Sequence, residues 1–339
     1  MDKKRLLSKI SRYDGKPLTL MEVCGSHTAA VFRTGIRNIL PPSVRLISGP
    51  GCPVCVADDA FISRAAALEG RARLISFGDM ARTVGRLRPG TRVETAASPT
   101  DAVMRAKAAP AEDVVFLSVG FETTNPVCAL SVLRAREENV KNFFLLTCNK
   151  TMPPIMEYLA KAYPDTDGYL LPGHVCAVSG TGFYKEFCKK YNVKGCVAGF
   201  DSLQLSAALY LLMYGKTLFS NVYSYVKEEG SPSAEAAVRE VFEPCPAVIR
   251  GIGEIPGAGL RLKKEFAAFD VSCRFGLPEV FPPQDAGCRC GDVICGRIEP
   301  PECPLYGVSC RPETPCGPCM ISSEGTCFAY FGGCERRSV

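Results

Sequence analysis

A buried strand followed by a helix is indicated by residues 113–139, DVVFLSVGFETTNPVCALSVLRAREEN. The apolar run 113–120 is too short for a helix and ends in glycine, which is typical of a buried strand. Asn125 and Pro126 then open a helical pattern, and a second apolar run, NFFLLTC, follows at 142–148. Strands separated by helices in this way predict parallel pairing, so the fold class is α/β.

The same alternation continues on both sides of this unit. Further strands are predicted at 44–48, 72–77, 168–173 and 195–200, and further helices at 98–109, 201–215 and 231–242. The alternation is interrupted between residues 78 and 112, where Arg, Pro and Gly accumulate. We therefore expect two sheets, with a boundary near residue 115, rather than one long sheet.

The composition is that of an ordinary globular protein, with 339 residues and a formal net charge of +5. The basic start MDKKRLLSK is followed by polar residues, unlike a secretory signal, and no apolar run has the length that spans a bilayer. Trp is absent, and no basic stripe is interleaved with aromatic residues. We expect a cytoplasmic protein that binds neither membranes nor nucleic acids.

Cysteine is the anomaly, with 19 residues, of which nine lie between Cys288 and Cys334. Without a secretory signal, such thiols are more typical of metal ligands or redox groups than of structural disulfides. The tail beyond residue 280 has little apolar periodicity, so we expect a bound metal to fix it. Zinc and an iron–sulfur cluster each take four thiolates, and both stay open, because only Cys316 and Cys319 form a Cys-x-x-Cys pair there.

A cysteine and a histidine, Cys24 and His27, lie three residues apart in MEVCGSHTAA at 21–30. A thiolate beside an imidazole is an activated nucleophile or part of a metal site. The structural alternative is a packed cysteine at a strand end with a capping histidine. Because the chain contains only two histidines, we favour a functional site.

A second close thiol pair, Cys52 and Cys55, lies in GPGCPVC at 49–55. This spacing allows a disulfide when the backbone turns correctly. The helical pattern that follows would put both thiols near a helix N-terminus, which favours the thiolate form. A redox dithiol is therefore favoured over a metal knuckle or a plain tight turn.

Two loops at predicted strand ends carry polar residues. GFETT places Glu122, Thr123 and Thr124 between a strand and its helix. LPGHV places His174 directly after another strand. Open α/β sheets bind ligands at the carboxyl ends of their strands, although helix capping is the plain alternative for Thr and His at such positions.

Five motifs together resemble the HypD family of [NiFe]-hydrogenase maturation factors. They are CGSHT (24–28), GPGCPVC (49–55), GFETT (120–124), LPGHV (171–175) and the tail CPLYGVSCRPETPCGPCMISSEGTC (303–327). The similarity covers nearly the whole chain, with the motifs in the order of the family.

The resemblance implies a fold of two Rossmann-like parallel-sheet domains and a smaller irregular cysteine-rich domain with a [4Fe-4S] cluster. The implied domains are 18–115, 116–226, and a third built from 1–17 and 227–339. It also implies a maturation scaffold with redox activity rather than a free-standing metabolic enzyme. With a HypC-type chaperone, the scaffold would hold an Fe(II) ion that receives two cyanides and one carbon monoxide. A HypE-type protein would donate the cyanide.

Roles carry over from the family motif by motif. Cys24 would bind the iron of the Fe(CN)2CO unit with His27 beside it. Cys52 and Cys55 would be the redox dithiol. The residues implied to line the same cleft are Glu122, Thr123, Thr124 and His174. The implied cluster ligands are Cys288, Cys303, Cys310 and Cys327, with Cys290 as a rival for the first position.

The sequence departs from the family pattern at several positions. Ala29 stands where a second histidine is frequent, and Cys176 replaces a serine. The tail thiols Cys295, Cys316 and Cys334 are additional.

We expect electrons to pass from an external reductant through the tail cluster to Cys52 and Cys55, and then to iron at Cys24. This path requires the tail to fold back onto the first α/β domain. Two alternatives stay open. One is a stand-alone cluster-dependent dithiol reductase that acts on a thioredoxin-like partner, and the other is a structural zinc protein.

Overall fold

The computed structural model describes residues 3–277 and 287–335 and has an α/β fold with two parallel sheets. The strands are β1 Leu18–Glu22, β2 Val44–Ser48, β3 Arg73–Ser76, β4 Val93–Thr95, β5 Val114–Gly120, β6 Phe143–Asn149, β7 Gly168–Pro172, β8 Lys194–Ala198, β9 Phe219–Asn221, β10 Phe242–Ile249 and β11 Gly253–Leu262. The helices are α1 Lys3–Ser11, α2 Gly25–Thr34, α3 Asp59–Ala66, α4 Gly78–Leu87, α5 Pro99–Ala108, α6 Asn125–Glu137, α7 Met152–Ala162, α8 Gly173–Ser179, α9 Gly182–Tyr191, α10 Ser202–Tyr214, α11 Pro232–Val241, α12 Val271–Phe275, α13 Cys290–Ile294, α14 Pro318–Ile321 and α15 Thr326–Glu335. The six strands expected from the sequence are all present, as β2, β3, β5, β6, β7 and β8.

The first sheet has the strand order β2-β1-β7-β8-β9 and the second has β4-β3-β5-β6, and all pairings in both are parallel. Strand β5 lies between β3 and β6, and all seven of its residues are buried. A parallel strand that is covered on both faces is apolar along its whole length. This explains why the run 113–120 shows no polar alternation.

Helix starts follow the capping chemistry of the sequence. At α5, Ser98 Oγ accepts a hydrogen bond from Thr100 N at 3.2 Å, and the Asp101 carboxylate accepts one from Ser98 N at 3.2 Å. At α10, Asp201 accepts from the backbone N–H of Leu203 at 2.9 Å. These side chains satisfy N–H groups that have no partner within the helix.

The strands are divided between the sheets differently from the predicted division at residue 115. The chain leaves the first sheet after β2, forms β3 to β6 in the second sheet, and returns as β7, which pairs with β1. Strand β5 spans the predicted boundary. Strand–helix alternation looks the same within a sheet and between sheets, so it does not reveal which strands are neighbours.

The N-terminal segment also packs differently from the implied third domain. Helix α1 lies against α10 of the first sheet, and Ile10 and Tyr13 share a core with Leu18 and Leu209. Tyr214 donates a hydrogen bond from its hydroxyl to the Lys9 carbonyl at 2.8 Å. Residues 1–2, 278–286 and 336–339 of the implied third domain lie outside the described residues.

A hairpin and the cysteine-rich tail complete the described chain. Strands β10 and β11 pair antiparallel, and the tail then carries α13, α14 and α15. Helix α15 lies on α2 of the first sheet, with the Phe32 and Tyr330 rings 4.5 Å apart between centroids. The tail thus folds back onto the first sheet, as the electron path requires. Across the described ranges, no helix combines the length and apolar character needed to cross a bilayer.

Candidate redox and metal site

Cys24 lies at the carboxyl edge of the first sheet, between the end of β1 and the start of α2. It is the residue that precedes the first turn of α2, and its side chain is half-buried. Its carbonyl accepts hydrogen bonds from His27 N at 3.0 Å and from Thr28 N at 3.1 Å. The strand end and the helix start therefore fix the position of this thiol.

Glycine is required at residue 25 because its surroundings leave no room for a side chain. A Cβ atom at this position would lie 2.8 Å from Glu324 Cβ and 3.0 Å from Cys52 Cβ. The residue after Cys24 is therefore enclosed by the dithiol loop on one side and by the tail on the other. A side chain here would push these three segments apart.

Cys52 and Cys55 form a disulfide with their Cα atoms 5.3 Å apart. Cys55 N donates to Cys52 Sγ at 3.2 Å, and both residues are buried. Helix α3 begins at Asp59, so several residues separate the pair from the helix N-terminus that the sequence suggested. The pair is thus held by its own turn, at a separation that a disulfide can bridge, and its redox role stays a prediction.

Arg250, in the turn of the β10–β11 hairpin, holds the chain that follows the dithiol. Its guanidinium donates to the Ala57 carbonyl at 3.0 Å and to the Asp59 carboxylate at 2.7 Å. Arg250 is buried, with 8% of its surface exposed. The hairpin therefore ties the dithiol loop to the part of the chain that leads into the tail.

The tail contacts both the dithiol and the Cys24 segment through residues 322–324. Ser322 Oγ lies 3.4 Å from Cys52 Sγ and donates a hydrogen bond to Asp79 Oδ2 at 2.9 Å. Ser26 Oγ donates to the Glu324 carboxylate. Three distant parts of the chain thus meet at Cys24.

The surroundings of Cys24 keep its thiol protonated when no cation is present. Burial raises the pKa of Cys24 to about 12, and the nearby Glu324 carboxylate raises it further. Burial also raises the pKa of Glu324. A cation at Cys24 would replace the thiol proton and would meet two groups able to become anionic.

His27 is fully buried and neutral. Burial is the main cause that lowers the pKa of His27 to about 4. Its Nε2 lies 3.1 Å from the Ala198 carbonyl, which can only accept, so Nε2 carries the hydrogen. Nδ1 is then a lone-pair acceptor that is buried without a hydrogen-bond partner in the described chain.

His174 lies near His27 on the same sheet edge but is exposed. The Phe200 ring lies between the two, at centroid distances of 4.8 Å from His27 and 4.2 Å from His174. Tyr223 flanks His174 at 6.2 Å. The second histidine thus belongs to an aromatic wall beside the site.

Glu122, Thr123 and Thr124 lie at the edge of the second sheet. Glu122 Oε1 accepts a hydrogen bond from Met152 N at 2.7 Å at the start of α7, whereas its Oε2 is buried and has no hydrogen-bond partner among the residues that the structure describes. Thr124 packs against Gly120, and Thr123 is exposed. Burial raises the pKa of Glu122 to about 7.

Cys176 connects these two sheet edges. It is fully buried in α8, and it interacts electrostatically with both Glu122 and Cys24. Burial is the main cause that raises its pKa. The structure therefore brings the Cys24 segment and the dithiol into contact with the tail, whereas His27 packs against Ala198 and Phe200 of the first sheet edge.

The tail thiols form three pairs. Cys288 shares a side-chain hydrogen bond with Cys290, and both sulfurs face Gly317, whose added Cβ would lie 2.8 Å and 3.4 Å from them. The other pairs are Cys310 with Cys316 and Cys319 with Cys327. In each, the backbone N–H of the second residue donates to the sulfur of the first at 3.3 Å.

Cys303 joins none of these pairs within the described part of the tail. It is buried and begins a loop closed by Tyr306 N donating to its carbonyl at 3.0 Å. Cys310 N donates to the Leu305 carbonyl at 2.8 Å, so the loop that begins at Cys303 turns back on itself. Between residues 287 and 335, as in 3–277, no three His, Cys, Asp or Glu side chains surround one metal-ion position.

The donor set of the tail fits an iron–sulfur cluster in its chemistry. Thiols supply all the donors, Cys303, Cys310 and Cys327 being buried and Cys288 half-buried, and a cubane binds one thiolate at each of four irons rather than four around one ion. The residues that the family pattern implies would hold it are Cys288 or Cys290, Cys303, Cys310 and Cys327.

The fold and the site define a two-sheet α/β protein whose cysteine-rich C-terminal region meets a disulfide and a further cysteine at the edge of the first sheet. The HypD family model, described as the hydrogenase formation hypA family, matches residues 2–332. The chain belongs to this family of hydrogenase maturation factors.

Several curated relatives agree with this assignment. The hydrogenase maturation factor HypD of Cupriavidus necator is 36% identical over 341 residues, which cover 94% of this chain and 90% of its own. The HypD proteins of Rhodobacter capsulatus and Escherichia coli are 35% and 34% identical, covering 97% and 96% of this chain and 93% and 91% of their own.

Three site residues were not among the sequence candidates. Glu324 faces Cys24, Ser322 contacts the disulfide, and Asp79 accepts from Ser322. The first two belong to SSEG at 322–325, a small-residue turn with one acid between the last two thiols of the tail motif. That turn was the available signal, whereas nothing distinguishes Asp79 from an ordinary acid in the first turn of a helix.

Proposed function

We propose that this chain is the scaffold on which, together with a HypC-type chaperone, an Fe(CN)2CO unit is assembled for a hydrogenase. The observation that carries the proposal is the meeting of Cys24, the Cys52–Cys55 disulfide and the tail within one site. Family membership supplies the hydrogenase context. The iron ion is the cargo of this site.

Cys24 is the iron-binding group in this proposal. A thiolate is a soft donor that suits low-spin Fe(II) carrying cyanide and carbon monoxide. The burial of Cys24 makes the free thiolate unfavourable, so iron binding releases its proton, and the Glu324 carboxylate is placed to receive that proton. His27, in the first turn of α2, keeps an Nδ1 lone pair that has no hydrogen-bond partner among the described residues.

One protein thiolate holds iron weakly enough for the finished unit to leave. A cysteine of the chaperone would supply a second thiolate. An apolar groove of about 170 Å³ lies beside the site between α2 and α15, lined by Ala29, Phe32, Phe328 and Gly332. Its continuity with the Cys24 segment makes it the surface where we place the chaperone.

The dithiol supplies the electrons for cyanide transfer. Releasing cyanide from a thiocyanate group on a HypE-type donor consumes two electrons and one proton and leaves a thiol on the donor. Closing the Cys52–Cys55 disulfide provides two electrons and releases two protons. A cluster in the tail, when bound, provides one-electron transfer that returns the pair to the dithiol with electrons from an external reductant.

Infrared spectroscopy of the complex with the chaperone tests this function. The complex with the unaltered chain is expected to show bands of iron-bound cyanide and carbon monoxide. Cys24→Ala abolishes them, and Cys55→Ala prevents cyanide loading in a folded protein. Cys245→Ala is the matched control, since this half-buried thiol lies in the β10–β11 hairpin.

The outcomes separate this function from the two alternatives. A complex without these bands, together with disulfide reductase activity that survives Cys24→Ala, would identify a stand-alone dithiol reductase. A colourless, zinc-loaded tail after anaerobic purification would identify a structural zinc protein.

A further inference from the structure

The hydroxyl of Ser322 is the polar group of the tail that meets the disulfide. It lies 3.4 Å from Cys52 Sγ, and both residues are buried. We propose that Ser322, oriented by Asp79, accepts a hydrogen bond from the Cys52 thiol once the disulfide is reduced, so that the packed tail favours the dithiol state. This inference rests on the proposed function, in which the pair alternates between disulfide and dithiol.

The hydrogen of the Ser322 hydroxyl already has an acceptor. It is donated to Asp79 Oδ2 at 2.9 Å, and a carboxylate oxygen accepts. Three further donors fix Asp79 in this position, namely the N–H and the hydroxyl of Ser323 and the guanidinium of Arg82. Towards Cys52, the Ser322 hydroxyl therefore presents only an oxygen lone pair.

A hydroxyl oxygen has two lone pairs, and the partners of both can be named. Glu324 N donates to the Ser322 oxygen at 3.3 Å, which takes the first. The second faces Cys52 Sγ, which carries no hydrogen in the disulfide, so the two atoms meet as acceptor against acceptor. After reduction the Cys52 thiol has a hydrogen to donate, and the same contact becomes an S–H···O hydrogen bond.

The rest of the site supports this contact in the dithiol. Cys52 Sγ accepts from Cys55 N at 3.2 Å, so in the dithiol both a lone pair and the hydrogen of this sulfur would have partners. Ser322 follows α14, which lies against α4, the helix of Asp79. Reduction of the pair and attachment of the tail are therefore coupled, and each favours the other by the same factor.

Equilibration of the full chain with dithiothreitol measures this preference. Reduction adds two electrons and two protons to Cys52 and Cys55 and breaks the bond between their sulfurs, while dithiothreitol loses the same and closes to its cyclic disulfide. Anaerobic mixtures of reduced and oxidised dithiothreitol at one fixed pH are quenched with acid and alkylated in denaturant. The tryptic peptide 46–64, which contains no other cysteine, then gives the dithiol fraction by mass spectrometry.

Ser322→Ala removes the acceptor, so we expect the ratio of dithiol to disulfide to fall by about threefold to tenfold. The midpoint potential then falls by about 15 to 30 mV, because a tenfold change is about 30 mV for two electrons. Asp79→Ala frees the Ser322 hydrogen, which can then be donated to the disulfide sulfur, and should shift the ratio in the same direction. The double variant should shift the ratio no further than Ser322→Ala does.

The matched control is Ser323→Ala. It removes a donor from the same Asp79 carboxylate but leaves the hydroxyl at Cys52 in place, so its ratio is expected to equal that of the unaltered chain. Circular dichroism checks the folding of all variants. Should Ser322→Ala not fold, Asp79→Ala takes its place, since Asp79 is only half-buried.

Contradictory results point to different errors. An unchanged ratio in Ser322→Ala, or an equal shift in Ser323→Ala, would overturn the inference. Additive shifts from Ser322→Ala and Asp79→Ala would show that Asp79 does not act through Ser322.

The proposed function fails or stands separately. An unchanged ratio in Ser322→Ala beside intact infrared bands of iron-bound cyanide would overturn this inference alone. Cyanide bands that survive Cys55→Ala would overturn the use of the dithiol in assembly, whatever the ratio in Ser322→Ala.

Discussion

Replacing Gly51 by alanine tests the close approach of the dithiol loop to Cys24. A Cβ atom at residue 51 would lie 2.4 Å from Cys24 Cα, Cys24 N and Val23 C. All three are backbone atoms, so no side chain can move aside. Relief requires the loop or the end of β1 to shift by about 1 Å, to reach an ordinary contact of about 3.4 Å.

The expected cost follows from overpacking a rigid core. Such strain costs about 1 to 3 kcal/mol, and the upper part of this range applies because backbone meets backbone. With a urea dependence of about 3 kcal/mol per molar, the unfolding midpoint falls by about 1 M. The same shift moves the Cys52–Cys55 disulfide away from Cys24, so assembly at Cys24 declines as well.

Urea unfolding of the metal-free chain measures this cost, with Gly85→Ala as the matched control. Gly85 lies inside α4, where the nearest atom to an added Cβ is 3.7 Å away. Alanine there is expected to stabilise the protein by about 0.5 to 1 kcal/mol, because it favours the helix. A Gly51→Ala chain as stable as the unaltered one would refute the close approach.

Three further predictions concern charged groups. The pKa of Glu122 is about 7 in the folded chain against an ordinary 4.5, so the folded state binds the extra proton and stability falls as the pH rises from about 4.5 through 7. Between pH 5 and pH 8, the free energy of unfolding should fall by about 2 to 4 kcal/mol less in Glu122→Gln than in the unaltered chain, as measured by urea unfolding at both pH values. An unchanged pH dependence of stability would contradict the burial of the carboxyl. Glu324→Gln removes a negative charge near Cys24, so the pH at which iodoacetamide labels half of Cys24, followed by mass spectrometry, should decrease. A shift to higher pH would show that Glu324 does not face the thiol. Arg250→Ala should cost about 2 to 3 kcal/mol, because it leaves Asp59 and the Ala57 carbonyl without their donor, whereas Arg261→Ala in an exposed pair of the same hairpin should cost less than about 0.5 kcal/mol. Equal losses of stability in the two variants would contradict the role of Arg250 in holding the chain that follows the dithiol.

Six of the nine strands in the two parallel sheets were predictable because burial on both faces leaves a simple signal, whereas β1, β4 and β9 were not predicted. Runs such as 113–120 are apolar throughout, and residues such as Ser98 and Asp201 cap helices by local hydrogen bonds. Strand order was not predictable in the same way. The pairing of β1 with β7 joins residues about 150 positions apart, and no local pattern encodes it.

The site shows the same contrast between local and distant information. Cys24, His27, Cys52 and Cys55 stand in short motifs whose chemistry is readable. The contact of Ser322 with Cys52 depends on how the tail packs, so only the structure reveals it. The pairing of the tail thiols is likewise a property of the folded loops, since the two members of a pair are up to eight residues apart.

The thiol state of Cys52 and Cys55 during reduction tests the central claim most directly. Reduced methyl viologen is added anaerobically to chain reconstituted with iron and sulfide and to a Cys303→Ser/Cys310→Ser chain, which is made cluster-free by the loss of two implied ligands. Alkylation of Cys52 and Cys55 is followed by mass spectrometry. If the tail delivers electrons across the contact at Ser322, the pair opens to the dithiol in the loaded chain and stays oxidised in the cluster-free one. Equal reduction in both chains, or a loaded chain whose disulfide persists while its cluster is reduced, would contradict the account.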